Sequence, residues 1–284
     1  MIVFVTLASV VFNAVTSDPN VPVQKLWHGK FLDGTAYRSW GTHGTPVVLL
    51  GGFFEPSFVW QRVGPLLGRT HRVYAIDLDG FGYTQRRGPW TLGKWVDQLR
   101  RFERALHLRH TVVVGHSLGA AVAVVGAQRG LASRVVLLDG DALKIGGPPH
   151  FVRWALLHSP FFTSALRLAP HAGWLVKRIV ANAYGGQPHP DVPVSWWTRP
   201  LRAQGSRSAL QGMLTHGVAG LDRATLQSAH ITATVVFGAE DNVDPPSAGR
   251  RSARDLHASF VLIQHAGHLS MLQNPRAVAA AILR

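Results

Sequence analysis

The chain has 284 residues, 46% of them hydrophobic and only 15% charged, with no cysteine, which suits one α/β domain with a sizeable core and excludes a disulfide scaffold and thiolate chemistry. Lys and Arg outnumber Asp and Glu 29 to 15, a net charge of +14 that points to anionic membranes, acidic ligands or nucleic acid. With no Lys/Arg-rich run and no recognised nucleic-acid module, no nucleic-acid partner is expected.

The first seventeen residues, MIVFVTLASVVFNAVTS, carry no charge. As a helix they would span about 25 Å, short of a hydrocarbon core of roughly 30 Å. Small residues near Ala14 to Ser17 follow an apolar run, as in a secretory signal, but the usual basic leader is missing. Residues 1–17 are therefore read as a signal-like or anchor segment, and a secreted or membrane-associated location is favoured over a cytoplasmic one. Packing of the segment on the fold is the alternative.

Lys25 to Leu32 and Thr35 to Gly41, joined by Asp33-Gly34, read as an antiparallel hairpin at a sheet edge. Short β-branched runs then recur at Val47 to Leu50, Val73 to Ile76, Val112 to Val114, Val135 to Leu138, Thr234 to Phe237 and Phe260 to Ile263. Their near-continuous apolar character is that of strands covered on both faces. Helix-like stretches such as Leu92 to Leu106 and Ala120 to Gln128 alternate with them. The expected fold class is α/β, a mostly parallel central sheet with helices on both faces.

The alternation stops after Asp139. Residues 142–222 are expected to form an inserted helical cap, with helices near Phe151 to Leu157, Pro160 to Leu168 and Gly173 to Ala183. The core is then 24–141 and 223–284. The cap's aromatic residues, Trp154, Phe161, Phe162, Trp174, Tyr184, Trp196 and Trp197, are expected for the most part to form a small core of its own. Between Ala142 and Thr215 there are eight basic residues and one acid, Asp191. A basic, aromatic-rich cap suits an acyl substrate met at an anionic membrane surface, the alternative being a solvated basic face.

Gly115-His116-Ser117-Leu118-Gly119 carries the chemistry. It fits G-x-S-x-G with a strand before it and a helix after it, the context that holds a serine exposed on a tight turn. A serine needs a base and a group that orients the base. Gln264-His265-Ala266-Gly267-His268 follows the last strand run, and Gly238-Ala239-Glu240-Asp241-Asn242-Val243-Asp244 follows the one before.

These features, with Asp77-Leu-Asp-Gly80-Phe-Gly82-Tyr-Thr84, resemble the α/β-hydrolase fold superfamily, serine-nucleophile branch with a helical cap, over about residues 24 to 284. The resemblance implies Ser117 as nucleophile, Asp241 as acid in preference to Glu240 or Asp244, and His268 rather than His265 as base. Asp139 or Asp141 is the alternative acid. It also implies an oxyanion hole from the Leu118 and Phe53 N–H groups. Gly51 stands where a histidine is common, which places the rigidity of that loop in doubt, and Thr84 replaces a usual serine. Asp77, Gly80 and Gly82 are read as turn-forming.

The implied activity is hydrolysis of a small-molecule carboxylic ester or related acyl compound through an acyl-enzyme. A cofactor-free haloperoxidase or perhydrolase, a carbon–carbon bond hydrolase and a non-catalytic ligand-binding fold are the alternatives. Epoxide hydrolases and haloalkane dehalogenases resemble the layout, but attack through aspartate. The histidine pairs His265/His268 and His107/His110 lack a third ligand nearby in sequence, and no Walker loop or G-x-G-x-x-G follows a strand, so neither metal nor cofactor is expected. Oligomeric state leaves no signature in the sequence.

Overall fold

The computed structural model describes residues 2–144, 149–216 and 220–284. Met1 of the apolar N-terminal segment, and residues 145–148 and 217–219 of the expected cap, lie outside the described residues. Among the described residues one sheet contains β1 (Lys30–Leu32), β2 (Thr35–Trp40), β3 (Pro46–Leu50), β4 (Arg72–Ile76), β5 (Val112–His116), β6 (Arg134–Leu138), β7 (Ala233–Gly238) and β8 (Ser259–Ile263), in the order β1-β2-β4-β3-β5-β6-β7-β8. β1 and β2 are antiparallel to their neighbours, and β3 to β8 run parallel.

The expected edge hairpin is shorter than its sequence suggests. Pro22 is followed by a single helical turn, Val23–Leu26, and β1 begins only at Lys30. Val23 and Leu26 are buried in a small cluster with Ala36, Tyr83 and Ala203, which a continuous strand from Lys25 would not form.

Alternate residues of the central strands face opposite layers. Val48, Val113, Leu137 and Val235 pack toward one side, against Leu99 and Phe102. Val47, Leu49, Val114, Val136 and Val236 pack toward the other, against Trp60, Leu67 and Ile282. β3 and β5 are buried along their whole length, so every position must be apolar or glycine unless, like His116, it is internally paired. Each such Val or Leu contributes about 1.5–3 kcal/mol.

Three helices bear on the argument at this level. α1 (Ile2–Val15) covers the apolar N-terminal run. α2 (Leu92–Ala105) begins at Thr91, whose hydroxyl accepts the Lys94 N–H, and it buries Trp95, Val96, Leu99 and Phe102 at three- and four-residue spacing. α3 (Leu118–Gln128) is built of Ala, Val, Leu and Gly up to its closing Gln128, and is buried on nearly every side.

Between β6 and β7 lie α4 (His150–Leu157), α5 (Pro160–Leu168), α6 (Gly173–Ala183) and α7 (Ser206–His216), with shorter turns among them. Leu143 and Leu221 pair in an isolated parallel bridge, so the chain leaves and rejoins the core at adjacent points. The aromatic residues of this segment do not make a core of their own. Trp154, Phe161, Trp174 and Trp196 are exposed, whereas Tyr184 is buried in the main core and Trp197 packs against it. The helices are short and rest on different neighbours, α5 on α1, and Trp196 and Trp197 on Phe58.

Candidate active site

β5 ends at His116 and α3 starts at Leu118, so Ser117 alone makes the turn. Its φ of 49° and ψ of −118° lie in a region that side chains other than glycine rarely occupy, at a cost of about 1–3 kcal/mol. The surroundings over-determine that conformation. A Cβ on Gly115 would stand 2.1 Å from the Gly119 carbonyl oxygen, so only glycine lets the strand and the helix meet this closely. The Ser117 N–H donates to the Leu138 carbonyl at 3.0 Å, tying the turn to β6.

Two further groups arrive from the carboxyl ends of β7 and β8, the end of a parallel sheet where sites usually form. Asp241 Oδ2 accepts from His268 Nδ1 at 2.8 Å, and the Asp241 side chain is fully buried. Its other oxygen accepts the Val243 and Asp244 N–H groups, each at 2.9 Å, which fixes the carboxylate. Nδ1 is thereby committed, and Nε2 is the His268 nitrogen left to exchange a proton. The backbone N–H of His268 donates to the carbonyl of Ala183, the last residue of α6, so the segment between β6 and β7 helps position this loop.

The other carboxylates that the sequence leaves open as acids are engaged elsewhere. Glu240 accepts the Ala266 N–H, Asp244 accepts the Asp141 N–H, and Asp139 takes the Gly238 N–H and the Ser270 hydroxyl. His265 is exposed at a positive φ, and the base loop turns on it. The geometry thus brings Asp241 and His268 into direct contact. Ser117 joins them through its neighbour, since His116 Nε2 is 2.7 Å from the His268 carbonyl oxygen and the two rings are 4.8 Å apart. Among the described residues no Ser117–His268 side-chain hydrogen bond is formed; such bonds commonly tighten only when substrate is bound.

A buried network beneath this site is absent from the sequence reading. His116 Nδ1 lies 2.6 Å from Glu55 Oε2, and the same oxygen accepts the Gly52 N–H at 2.7 Å. A carbonyl oxygen and a carboxylate can only accept, so both His116 nitrogens carry protons and the ring is an imidazolium. Burial works against that charge, but the Glu55 carboxylate outweighs it and raises the imidazole to about 9. Burial also opposes ionisation of Glu55, and the paired His116 charge holds its carboxyl below the usual range. Asp139 Oδ2 lies 4.0 Å from His116 Nε2, and burial pushes its carboxyl up to about 7.

Glu55 also answers the question raised by Gly51. The loop after β3 lacks the common histidine but is not slack, because Glu55 bonds the Gly52 N–H and the Glu55 N–H returns to the Gly52 carbonyl. Phe53, Phe54 and Phe81 pack edge to face beside it, with centroids 5.0–5.8 Å apart. A Cβ on Gly52 would stand 2.9 Å from the Ser117 Cβ, so this loop passes directly against the serine. Asp77 spans two turns as expected, accepting from the Ser57 and Tyr83 N–H groups. The signal for the network was present in His116, a polar residue inside a strand otherwise made of valine and glycine.

A parallel sheet with a serine elbow and an Asp–His pair at its carboxyl ends defines the α/β-fold hydrolases. The chain belongs to the alpha/beta hydrolase family, whose family model matches residues 47–281. It is 22% identical over 241 residues to the uncharacterized hydrolase YugF of Bacillus subtilis (strain 168), covering 83% of this chain and 88% of that protein. It is 24% identical over 257 residues to a 2-hydroxy-6-oxo-6-(2'-aminophenyl)hexa-2,4-dienoic acid hydrolase of Metapseudomonas resinovorans, covering 84% and 83%. Among solved structures, a thermophilic esterase from Thermogutta terrifontis superposes with a TM-score of 0.73 at 25% identity, over 88% of this chain and 91% of the other. A bromoperoxidase from Bacillus anthracis superposes with a TM-score of 0.72 at 18% identity, over 88% and 94%, a likeness of fold.

Proposed function

We propose that the protein is a carboxylesterase-like serine hydrolase, acting on a small-molecule carboxylic ester or related acyl compound under its helical cap. What carries the reading is the strained Ser117 at the amino end of α3, beside an Asp241–His268 pair already in hydrogen-bond contact. The likeness to the Thermogutta esterase supports it.

Ser117 Oγ attacks the substrate carbonyl while His268 Nε2 takes its proton. Asp241 holds the imidazole in the tautomer with the proton on Nδ1 and stabilises the imidazolium that forms. The Leu118 N–H, at the helix start where amides lack intrahelical partners, donates to the oxyanion. The second donor is the Phe53 N–H that the family pattern implies, the Gly52 N–H being engaged by Glu55. His268 returns its proton to the leaving alcohol. Water, deprotonated by His268, then releases the acid from Ser117.

The test is fluorophosphonate labelling of wild type and Ser117→Ala, followed by turnover of p-nitrophenyl esters of increasing chain length. Labelling confined to wild type, with turnover lowered by roughly 10³-fold or more in the variant, is the expected result. A protein that labels at Ser117 yet leaves esters intact moves the reading to a carbon–carbon bond hydrolase or a perhydrolase. A folded protein that neither labels nor turns over is a non-catalytic binding fold.

A further inference from the structure

α1 is built inside out for water. Its Asn13 faces the protein: Asn13 Nδ2 donates to the Pro160 carbonyl at 2.8 Å and the Ser164 hydroxyl donates to Asn13 Oδ1 at 3.2 Å, while one residue past the helix Thr16 Oγ1 accepts from Arg167 at 3.2 Å. Just past the helix, Asp18 accepts from both Arg167 Nε and Arg207 Nε, at 2.9 and 2.7 Å, and clamps the segment to α5 and α7. Val5, Leu7, Val10, Val11 and Val15 are exposed, whereas Phe12 is half-buried. Leu7 is 61% exposed and Val15 77%, with Val11 midway between them at four-residue spacing. A surface helix in water buries its apolar stripe and solvates its polar one; here the arrangement is reversed.

Exposed apolar side chains also mark the helices between β6 and β7. Of sixteen large apolar side chains exposed among the described residues, five lie on α1 and nine between α4 and the turn holding Trp196; Val243 and Leu283 are the others. Phe151 on α4 is 72% exposed and Trp174 on α6 is 73%. On α6, Lys177 and Arg178 are exposed between Trp174 and Ile179. Apolar side chains interleaved with long basic ones suit the boundary between acyl chains and headgroups, where the stems lie in the apolar layer and the charges reach the surface.

We propose that α1 and the exposed sides of α4, α5 and α6 form a monotopic docking surface for an anionic lipid bilayer. The fourteen residues of α1 span about 21 Å against a hydrocarbon core of roughly 30 Å, and no helix of the described residues is long and apolar enough to cross. Charge decides between lipid and a second copy of this chain. Of the eight basic residues between 142 and 215, Arg167 and Arg207 are held by Asp18, while Lys177 and Arg178 are exposed among the apolar side chains of α6; with one acid, Asp191, in that stretch, two copies meeting on this face would repel, whereas an anionic headgroup layer is complementary. The test reads lipid binding and does not depend on activity.

The experiment is flotation of the full-length chain with vesicles of phosphatidylcholine alone and with phosphatidylglycerol added. Alongside it run a double variant, Leu7→Asp with Val11→Asp, and a second, Trp174→Ser with Ile179→Ser. Circular dichroism and a cooperative thermal melt show that each variant is folded. Because these positions are already in solvent, both variants should fold like wild type. The expected result is binding at least about tenfold stronger to the anionic vesicles, reduced by salt, and lowered about tenfold or more in either variant. Equal binding to both vesicles, or none, overturns the proposal. So does a concentration-dependent dimer in sedimentation equilibrium that the Leu7→Asp/Val11→Asp variant dissociates, since a second copy then covers the face.

Discussion

At the scale of single residues, Glu55 does three things at once. It holds the Gly52 N–H, neutralises His116, and so links the loop after β3 to the strand before Ser117 and the His268 loop. The sign of its pH dependence follows from the raised His116 group. Stability from the pair is complete below the imidazole's ordinary value of 6.5 and is lost as pH rises through about 9. Glu55→Gln should cost about 3 kcal/mol or more near neutral pH, because it leaves a buried charge unpaired. The stability difference between wild type and variant should shrink as pH rises from 6.5 to about 9, as read by urea unfolding. Ester turnover should fall by about 10–100-fold through the displaced Gly52–Phe53 loop.

Asp241 and Asp139 lie close enough to affect each other, yet their bonds differ. Asp241 touches His268, whereas Asp139 touches the Gly238 N–H and Ser270. Asp241→Asn should reduce kcat by up to roughly 10⁴-fold, through loss of the correct imidazole tautomer. Asp139→Asn should retain most of the activity. The reverse ranking, measured with p-nitrophenyl butyrate, would make Asp139 the acid.

At the scale of elements, the site is three strand ends and the loops that leave them. β5 and α3 meet with no intervening residue except Ser117, and the absence of a Cβ at Gly115 permits it. Gly115→Ala places a methyl group where the Gly119 carbonyl stands. It should destabilise the fold by about 1–3 kcal/mol or more and abolish fluorophosphonate labelling in whatever fraction remains folded. Denaturant titration with labelling separates the two effects. The loop carrying His268 depends on an element far away in sequence, since the carbonyl of Ala183 at the end of α6 accepts the His268 N–H. A change in α6 therefore reaches His268.

At the scale of the whole molecule, the parallel sheet was legible because buried strands need near-continuous β-branched runs, and β3 to β8 each lie on one. The elbow was legible for a local reason too: a glycine, a serine and a helix start within five residues leave the backbone one way to turn. Asp241 and His268 followed from the family pattern in the loops after β7 and β8, and the fold brings them into contact. The Glu55–His116 pair was not legible, because its partners are 61 residues apart and their meeting depends on β3 and β5 being neighbours. The fate of the cap's aromatic residues was open for the same reason. Composition made them a small core of their own, while tertiary packing sent Tyr184 inward and left Trp154 and Trp174 at the surface. The sequence by itself determined the period of each element and the chemistry at each turn, both set by neighbours along the chain. Which charges pair in the interior, and which face of α1 is turned outward, were decided only by the tertiary structure, because burial and pairing depend on residues brought together from distant parts of the chain.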